Sequence, residues 1–174
     1  MTTKTKIIIL TGPIRSGKTT FLKSIFENTA HCGGFLTPDR FGKRVFFRLD
    51  TQSYHEFETE NHDDIRTISV GPFIFSKATF RLGNELIMNI LNSKYEFFII
   101  DEIGKLELKD QGFGIALNNL FLEDKIIGPK ALILVIRDSL LKDVLMKYKI
   151  TSPDIIDIQD SNFKEKFTAA CGIV

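Results

Sequence analysis

The apolar positions of the chain alternate between two periods. Residues 5–11 form a short, continuous, β-branched apolar run, the pattern of a strand buried on both faces. The same pattern returns at 95–100 and 131–136, and in shorter form at 155–158. Between these runs the period becomes helical. Phe21, Leu22, Ile25 and Phe26 share one side of a helix predicted over 19–28. Leu82, Leu86, Ile87, Ile90 and Leu91 share a face behind Ser76, which has the chemistry of an N-cap. A further helix is predicted over 115–122, and another carries Leu140, Leu141, Val144, Leu145 and Tyr148. The last holds Phe163 and Phe167, with Asp160 or Ser161 as its cap and Gly172 as its stop.

Residues 33–70 break this rhythm. The segment 33–38 ends at Pro38, 43–49 reads as a strand, 53–59 alternates, and 66–70 reads as another strand. The pattern predicts an antiparallel meander. Buried strands alternating with helices predict an α/β sandwich of three layers, with a mostly parallel sheet and an antiparallel extension at one edge. Residues 1–174 are expected to form one domain.

The chemistry concentrates where the first strand meets the first helix. Gly12-Pro13-Ile14-Arg15-Ser16-Gly17-Lys18-Thr19 fits G-x-x-x-x-G-K-[ST], a P-loop, in the strand–turn–helix setting that the motif requires. Its glycines let the backbone wrap a phosphate, and the N–H groups at the helix start supply donors. Lys18 is expected at the β- and γ-phosphates as a catalytic cation, and Thr19 is expected to offer its hydroxyl to Mg²⁺. The run at 97–100 ends in Asp101-Glu102. The carboxyl ends of the strands in such a sheet line the ligand crevice. Asp101 is therefore the second expected Mg²⁺ residue, and Glu102 the carboxylate that orients or deprotonates an attacking water. Arg137 follows the strand 131–136 and is expected to stabilise charge on the γ-phosphoryl group. Arg40, in the turn after Pro38, is a weaker candidate for that task.

Composition narrows the classes. The chain has 174 residues, 43% hydrophobic and 26% charged, which is globular usage. A net charge of +1 supplies no field for nucleic acid or an anionic membrane. Two cysteines, Cys32 and Cys171, without a C-x-x-C spacing argue against a disulfide framework or structural zinc. The first apolar run is too short for a signal peptide or membrane span. A soluble cytoplasmic protein is expected.

One longer stretch carries a family resemblance. Ile100-Asp101-Glu102-Ile103-Gly104-Lys105-Leu106-Glu107-Leu108 resembles the D-E-I-G-K-M-E-L signature of the THEP1 family of nucleoside triphosphatases, with Leu106 in place of methionine. Gly34-Phe35-Leu36-Thr37-Pro38 resembles that family's G-F-x-T-P segment, and Thr11 through Thr20 its T-G-P-x-x-x-G-K-T-T loop. The resemblance implies a RecA-like P-loop domain that hydrolyses ATP, GTP and other nucleoside triphosphates with low base selectivity. It carries nucleotide contacts over to Gly12 through Thr20 and to Asp101, Glu102, Ile103, Gly104 and Lys105. Two other functions use the same site. A phosphotransferase would pass the phosphoryl group to a nucleoside, nucleotide or other hydroxyl acceptor, with a pocket from the Phe-rich segment 33–75. A regulatory module would have its bound state read by a partner.

Overall fold

The structure, a computed structural model, describes residues 4–122, 126 and 128–173. Ten strands and five α-helices are laid out along the described chain. Strand β1 (Lys6–Gly12) leads into helix α1 (Lys18–Phe26), then β2 (Cys32–Leu36), β3 (Asp39–Arg40), β4 (Lys43–Arg48) and β5 (Ser53–Glu56). Next come β6 (Thr67–Val70), β7 (Phe73–Ser76), α2 (Lys77–Met88) and β8 (Phe97–Ile103). The chain closes with α3 (Gly114–Leu120), β9 (Ala131–Arg137), α4 (Asp138–Lys147), β10 (Asp154–Asp157) and α5 (Phe163–Cys171).

The main sheet runs β10-β1-β9-β8-β2-β4-β3, with β5 also paired to β4. From β10 to β2 every pairing is parallel, and β4 joins β2 antiparallel. The fold is thus a mixed α/β sandwich, mostly parallel with an antiparallel extension, as the hydrophobic pattern predicts. Alternate strand residues feed opposite cores, because successive side chains leave a strand on opposite faces. Ile100, Leu132, Leu134 and Ile136 pack with Ile87 of α2, Leu117 of α3 and Val144 of α4. Ile99, Ile133, Val135, Ile8 and Leu10 pack with Leu22 and Phe26 of α1 and Phe167 of α5. Both faces are covered, which is why the strands read as unbroken apolar runs.

Several elements differ from their sequence reading. The segment after α1 is not wholly a meander: β2 pairs in parallel with β8 and belongs to the central sheet. Gly34 permits this, since its φ is +88° and a Cβ there would lie 2.0 Å from the Ile99 carbonyl oxygen. Strand β6 pairs with β7, a strand absent from the sequence reading, in a separate two-stranded sheet. That small sheet buries Ile74 and Phe75 beside the aromatic cluster of Phe57, Phe80 and Phe113. Ser76 caps α2 as expected, accepting the Thr79 N–H. Helix α5 starts at Phe163 with Asn162 at its N-cap position and no side-chain cap bond, so neither Asp160 nor Ser161 caps it. Gly172 closes it in the left-handed conformation.

Candidate active site

Gly12 stands opposite Arg137 in the β1–β9 register, at the carboxyl end of the sheet. The chain leaves β1 toward β2 on one side and leaves β9 toward β10 on the other, so a crevice opens where the two connections part. The P-loop fills its floor. Gly17 begins α1 in the left-handed region, φ +91°, and the helix has no side-chain cap. The N–H groups at its start therefore have no intrahelical partner, and face the hollow as an anion site.

Lys18 occupies that hollow. Its Nζ donates to the carbonyls of Gly12 (2.9 Å) and Pro13 (2.6 Å) and to Ser16 Oγ (3.1 Å). Burial holds the Lys18 ammonium below its ordinary pKa, with the nearby Asp101 carboxylate acting in the opposite direction. Ser16 Oγ in turn donates to the Pro13 carbonyl (2.8 Å). Ile14 and Arg15 are exposed on the outside of the loop, and Thr20 is exposed in the first turn of α1.

Asp101 sits across the crevice, within the last turn of pleat in β8. Its Oδ2 accepts the Thr19 hydroxyl (2.9 Å), the Thr37 N–H (2.8 Å) and the Thr37 hydroxyl (3.2 Å). Its Oδ1 is buried and has no hydrogen-bond partner among the described residues. Burial pushes the carboxyl up to about 6, helped by the adjacent Glu102 charge and opposed by the threonine bonds. No cluster of three or more His, Cys, Asp or Glu that could hold a metal occurs among the described residues. The donor set is instead one hydroxyl and one carboxylate with a spare oxygen. It fits Mg²⁺, which keeps its waters and takes one or two protein ligands besides phosphate.

Glu102 is placed by a defect in the strand. The β8–β9 register slips between Ile100 and Ile103, and Glu102 takes a left-handed conformation, φ +63°. A bulge of this kind re-aims a side chain, and a non-glycine residue in that region is held there by its surroundings. The carboxylate turns into the crevice. Arg137 Nη2 donates to Oε1 (2.7 Å), Arg44 Nη1 lies 3.4 and 3.3 Å from the two oxygens, and the Thr37 hydroxyl is 3.4 Å from Oε2. Beyond them lies a cavity of about 100 Å³, lined by Arg44, Glu102, Arg137 and the rings of Phe57, Phe75, Phe80 and Phe113.

The residues singled out in the sequence thus divide. Gly12, Pro13, Ser16, Gly17, Lys18, Thr19, Asp101, Glu102 and Arg137 meet in one crevice, while Ile14, Arg15 and Thr20 are exposed away from it. Ile103 turns fully into the core, whereas Gly104, whose N–H is taken by Glu107 Oε2 (2.8 Å), and the exposed Lys105 line the cavity beside Glu102. Arg40 does not reach the crevice residues. Its guanidinium lies 4.3 Å from the centre of the Tyr54 ring, on the outer hairpin. Three residues that sequence reasoning left out are part of the site. Thr37 was visible within the G-F-x-T-P segment. Arg44 shares a face of β4 with the buried Phe46, an alternation that points it inward. Glu107 lies inside the D-E-I-G-K-M-E-L stretch, but only the fold shows its buried carboxylate bonding the N–H groups of Gly104 and Phe113.

Comparison with known proteins agrees with this fold. A family model described as NTPase matches residues 7–166. The nucleoside-triphosphatase THEP1 of Thermotoga sp. (strain RQ2) is 30% identical over 121 residues, covering 68% of this chain and 69% of that protein. The protein of the same name from Methanocaldococcus jannaschii is 30% identical over 125 residues, 68% of this chain and 73% of its own. The crystal structure of THEP1 from Aquifex aeolicus superposes with a TM-score of 0.69 at 19% identity, over 91% of this chain and 95% of the other. With the family model spanning most of its length, this chain belongs to the THEP1-type NTPase family.

Proposed function

We propose that the protein hydrolyses nucleoside triphosphates, ATP and GTP among them, to diphosphate and phosphate, with Mg²⁺ as cofactor and little discrimination between bases. The names carried by its relatives support the general reaction. Its details rest on the crevice. Lys18 exchanges the Gly12 and Pro13 carbonyls for the β- and γ-phosphates, and the free N–H groups of the α1 start close around the same anion. The Thr19 hydroxyl and the Asp101 carboxylate would hold Mg²⁺, which neutralises charge on the phosphate oxygens when bound. Glu102 orients a water and takes its proton as the water oxygen bonds to the γ-phosphorus. The bond from that phosphorus to the β–γ bridging oxygen breaks, and the diphosphate leaves with the electron pair. Arg137, at the end of β9, stabilises the charge that develops on the transferring group.

The observation that carries this reading is the left-handed bulge that turns Glu102 into the crevice opposite the P-loop. Water is also the acceptor that the available room fits. A cavity of about 100 Å³ beside Glu102 falls short of the roughly 300 Å³ and more of small-molecule pockets. A phosphotransferase with a nucleoside acceptor needs space that the aromatic cluster fills. Free buried thiols at Cys32 and Cys171 support a cytoplasmic setting.

The test is the fate of the γ-phosphoryl group. With γ-labelled ATP or GTP and Mg²⁺, label is expected as free phosphate whether or not hydroxyl acceptors are added. Glu102→Gln should lower kcat by a factor of about 10² or more while nucleotide binding is kept. Label found on an acceptor, or turnover unchanged in Glu102→Gln, would overturn the reading.

A further inference from the structure

Glu102 receives two guanidinium groups, and they are not equivalent. Arg137 comes from the end of β9, beside the P-loop, and bonds only Glu102 among the described residues. Arg44 comes from the opposite side, out of the antiparallel extension, and is fixed at several points. Glu58 Oε2 accepts both its backbone N–H (3.2 Å) and its Nε–H (3.3 Å). Its guanidinium carbon lies 4.5 Å from the Phe73 ring centre and 4.6 Å from that of Phe75. Cation–π contact and a fixed carboxylate leave the group few other orientations. What remains of its fork points at Glu102.

This asymmetry has a consequence for turnover. If Arg137 turns to the γ-phosphoryl group, Glu102 loses its shortest bond while still in a strained backbone conformation. Something else must hold the carboxylate where a water can be addressed. We propose that Arg44 is that group: a positioning residue that keeps Glu102 in place independently of Arg137, anchored by Glu58, Phe73 and Phe75. The proposal rests on the reading of Glu102 as the water-orienting carboxylate. It also assigns the antiparallel extension a role in turnover, since β4 carries Arg44 and the β6–β7 hairpin carries its aromatic support.

Arg44→Met keeps an apolar stem against the two rings and removes the charge. We expect kcat to fall 10- to 100-fold, the range for a misplaced catalytic group, with KM and the dissociation constant for a non-hydrolysable ATP analogue within twofold of the parent. Arg44→Lys, which keeps a cation on a flexible stem, should recover part of the loss. A double-mutant cycle separates positioning from mere support of the fold. In a Glu102→Gln background, Arg44→Met should lower the residual rate less than twofold, because the group it positions is already gone. Arg137→Met should still lower that residual rate, because its target is the phosphoryl group. An equal loss from Arg44→Met in both backgrounds overturns the proposal and leaves Glu102 as assigned. Weakened analogue binding in Arg44→Met also overturns it. Turnover unchanged in Glu102→Gln overturns the reading of Glu102 itself.

Discussion

Asp101 carries an electrostatic cost in the absence of ligand. The carboxyl is buried, one oxygen is unpartnered, and burial raises its pKa to about 6 from an ordinary 3.8. The folded chain thus binds a proton at Asp101 over a range where the unfolded chain has lost it. A raised carboxyl makes folding more favourable below its ordinary value, and that contribution disappears as pH rises through about 6. Relative to Asp101→Asn, the ligand-free protein should lose stability between pH 4 and pH 6, on the order of 2–3 kcal/mol. Urea unfolding of the two proteins at pH 4 and pH 7 measures this. The variant should be the more stable one at pH 7, with the gap closing toward pH 4. A gap of the same size at both pH values would show that Asp101 does not titrate in this range. The residue that costs stability in the empty site is the one that Mg²⁺ would neutralise, a common arrangement where function and stability conflict.

At the scale of elements, the segment after β8 is held by one buried carboxylate. Glu107 Oε2 accepts the Gly104 N–H (2.8 Å) and Oε1 the Phe113 N–H (3.0 Å), while Tyr148 O–H donates to the Glu107 carbonyl (3.0 Å). The turn from β8 to α3 is thereby tied to the end of α4. Glu107→Ala strands two buried donors, at about 1–3 kcal/mol each. A loss of roughly 2–5 kcal/mol is expected by denaturant unfolding, and a smaller one for Glu107→Gln, whose amide oxygen can still accept one of the bonds. Equal losses in the two variants would mean that packing, not the pair of acceptors, sets the cost. This clamp also shows what the sequence disclosed and what it withheld. The P-loop, the parallel strands and the Asp101-Glu102 pair are legible because local periodicity and motif spacing encode them. The bulge at Glu102 is not, since a register slip is decided by the neighbouring strand β9. Arg44 meets Glu102 only because β4 folds back on β2 and brings together residues 58 apart in sequence. The β6–β7 hairpin was half visible. Residues 67–70 alternate weakly, and their partner β7 was masked by its closeness to the helix it introduces.

At the scale of the whole molecule, the crevice draws its side chains from several separate strands and one helix start. The P-loop belongs to β1 and α1, Asp101 and Glu102 to β8, Arg137 to β9, and Arg44 to the antiparallel extension. A triphosphate bound there would contact several of these at once and would stabilise only the folded chain. By mass action, ligand at a hundredfold excess over Kd adds about 2.7 kcal/mol. For a chain of 174 residues that is a rise in Tm of roughly 5–10 °C. Thermal melts with Mg²⁺ and a non-hydrolysable ATP analogue should show it in the parent and in Glu102→Gln, where only the carboxylate proposed to orient water is altered. Lys18→Ala should lose most of the rise at the same ligand concentration, because the cation proposed to meet the phosphates is gone. Its ligand-free melt should stay at or above that of the parent, since burial disfavours the charged Lys18 in the empty loop. A lowered ligand-free Tm in Lys18→Ala would make Lys18 a structural strut of the P-loop. A full ligand shift in the same variant would move the phosphate site away from the loop. The combination of an undisturbed empty fold and a lost ligand response is the pattern that a phosphate-binding lysine, resting on its own loop carbonyls, produces.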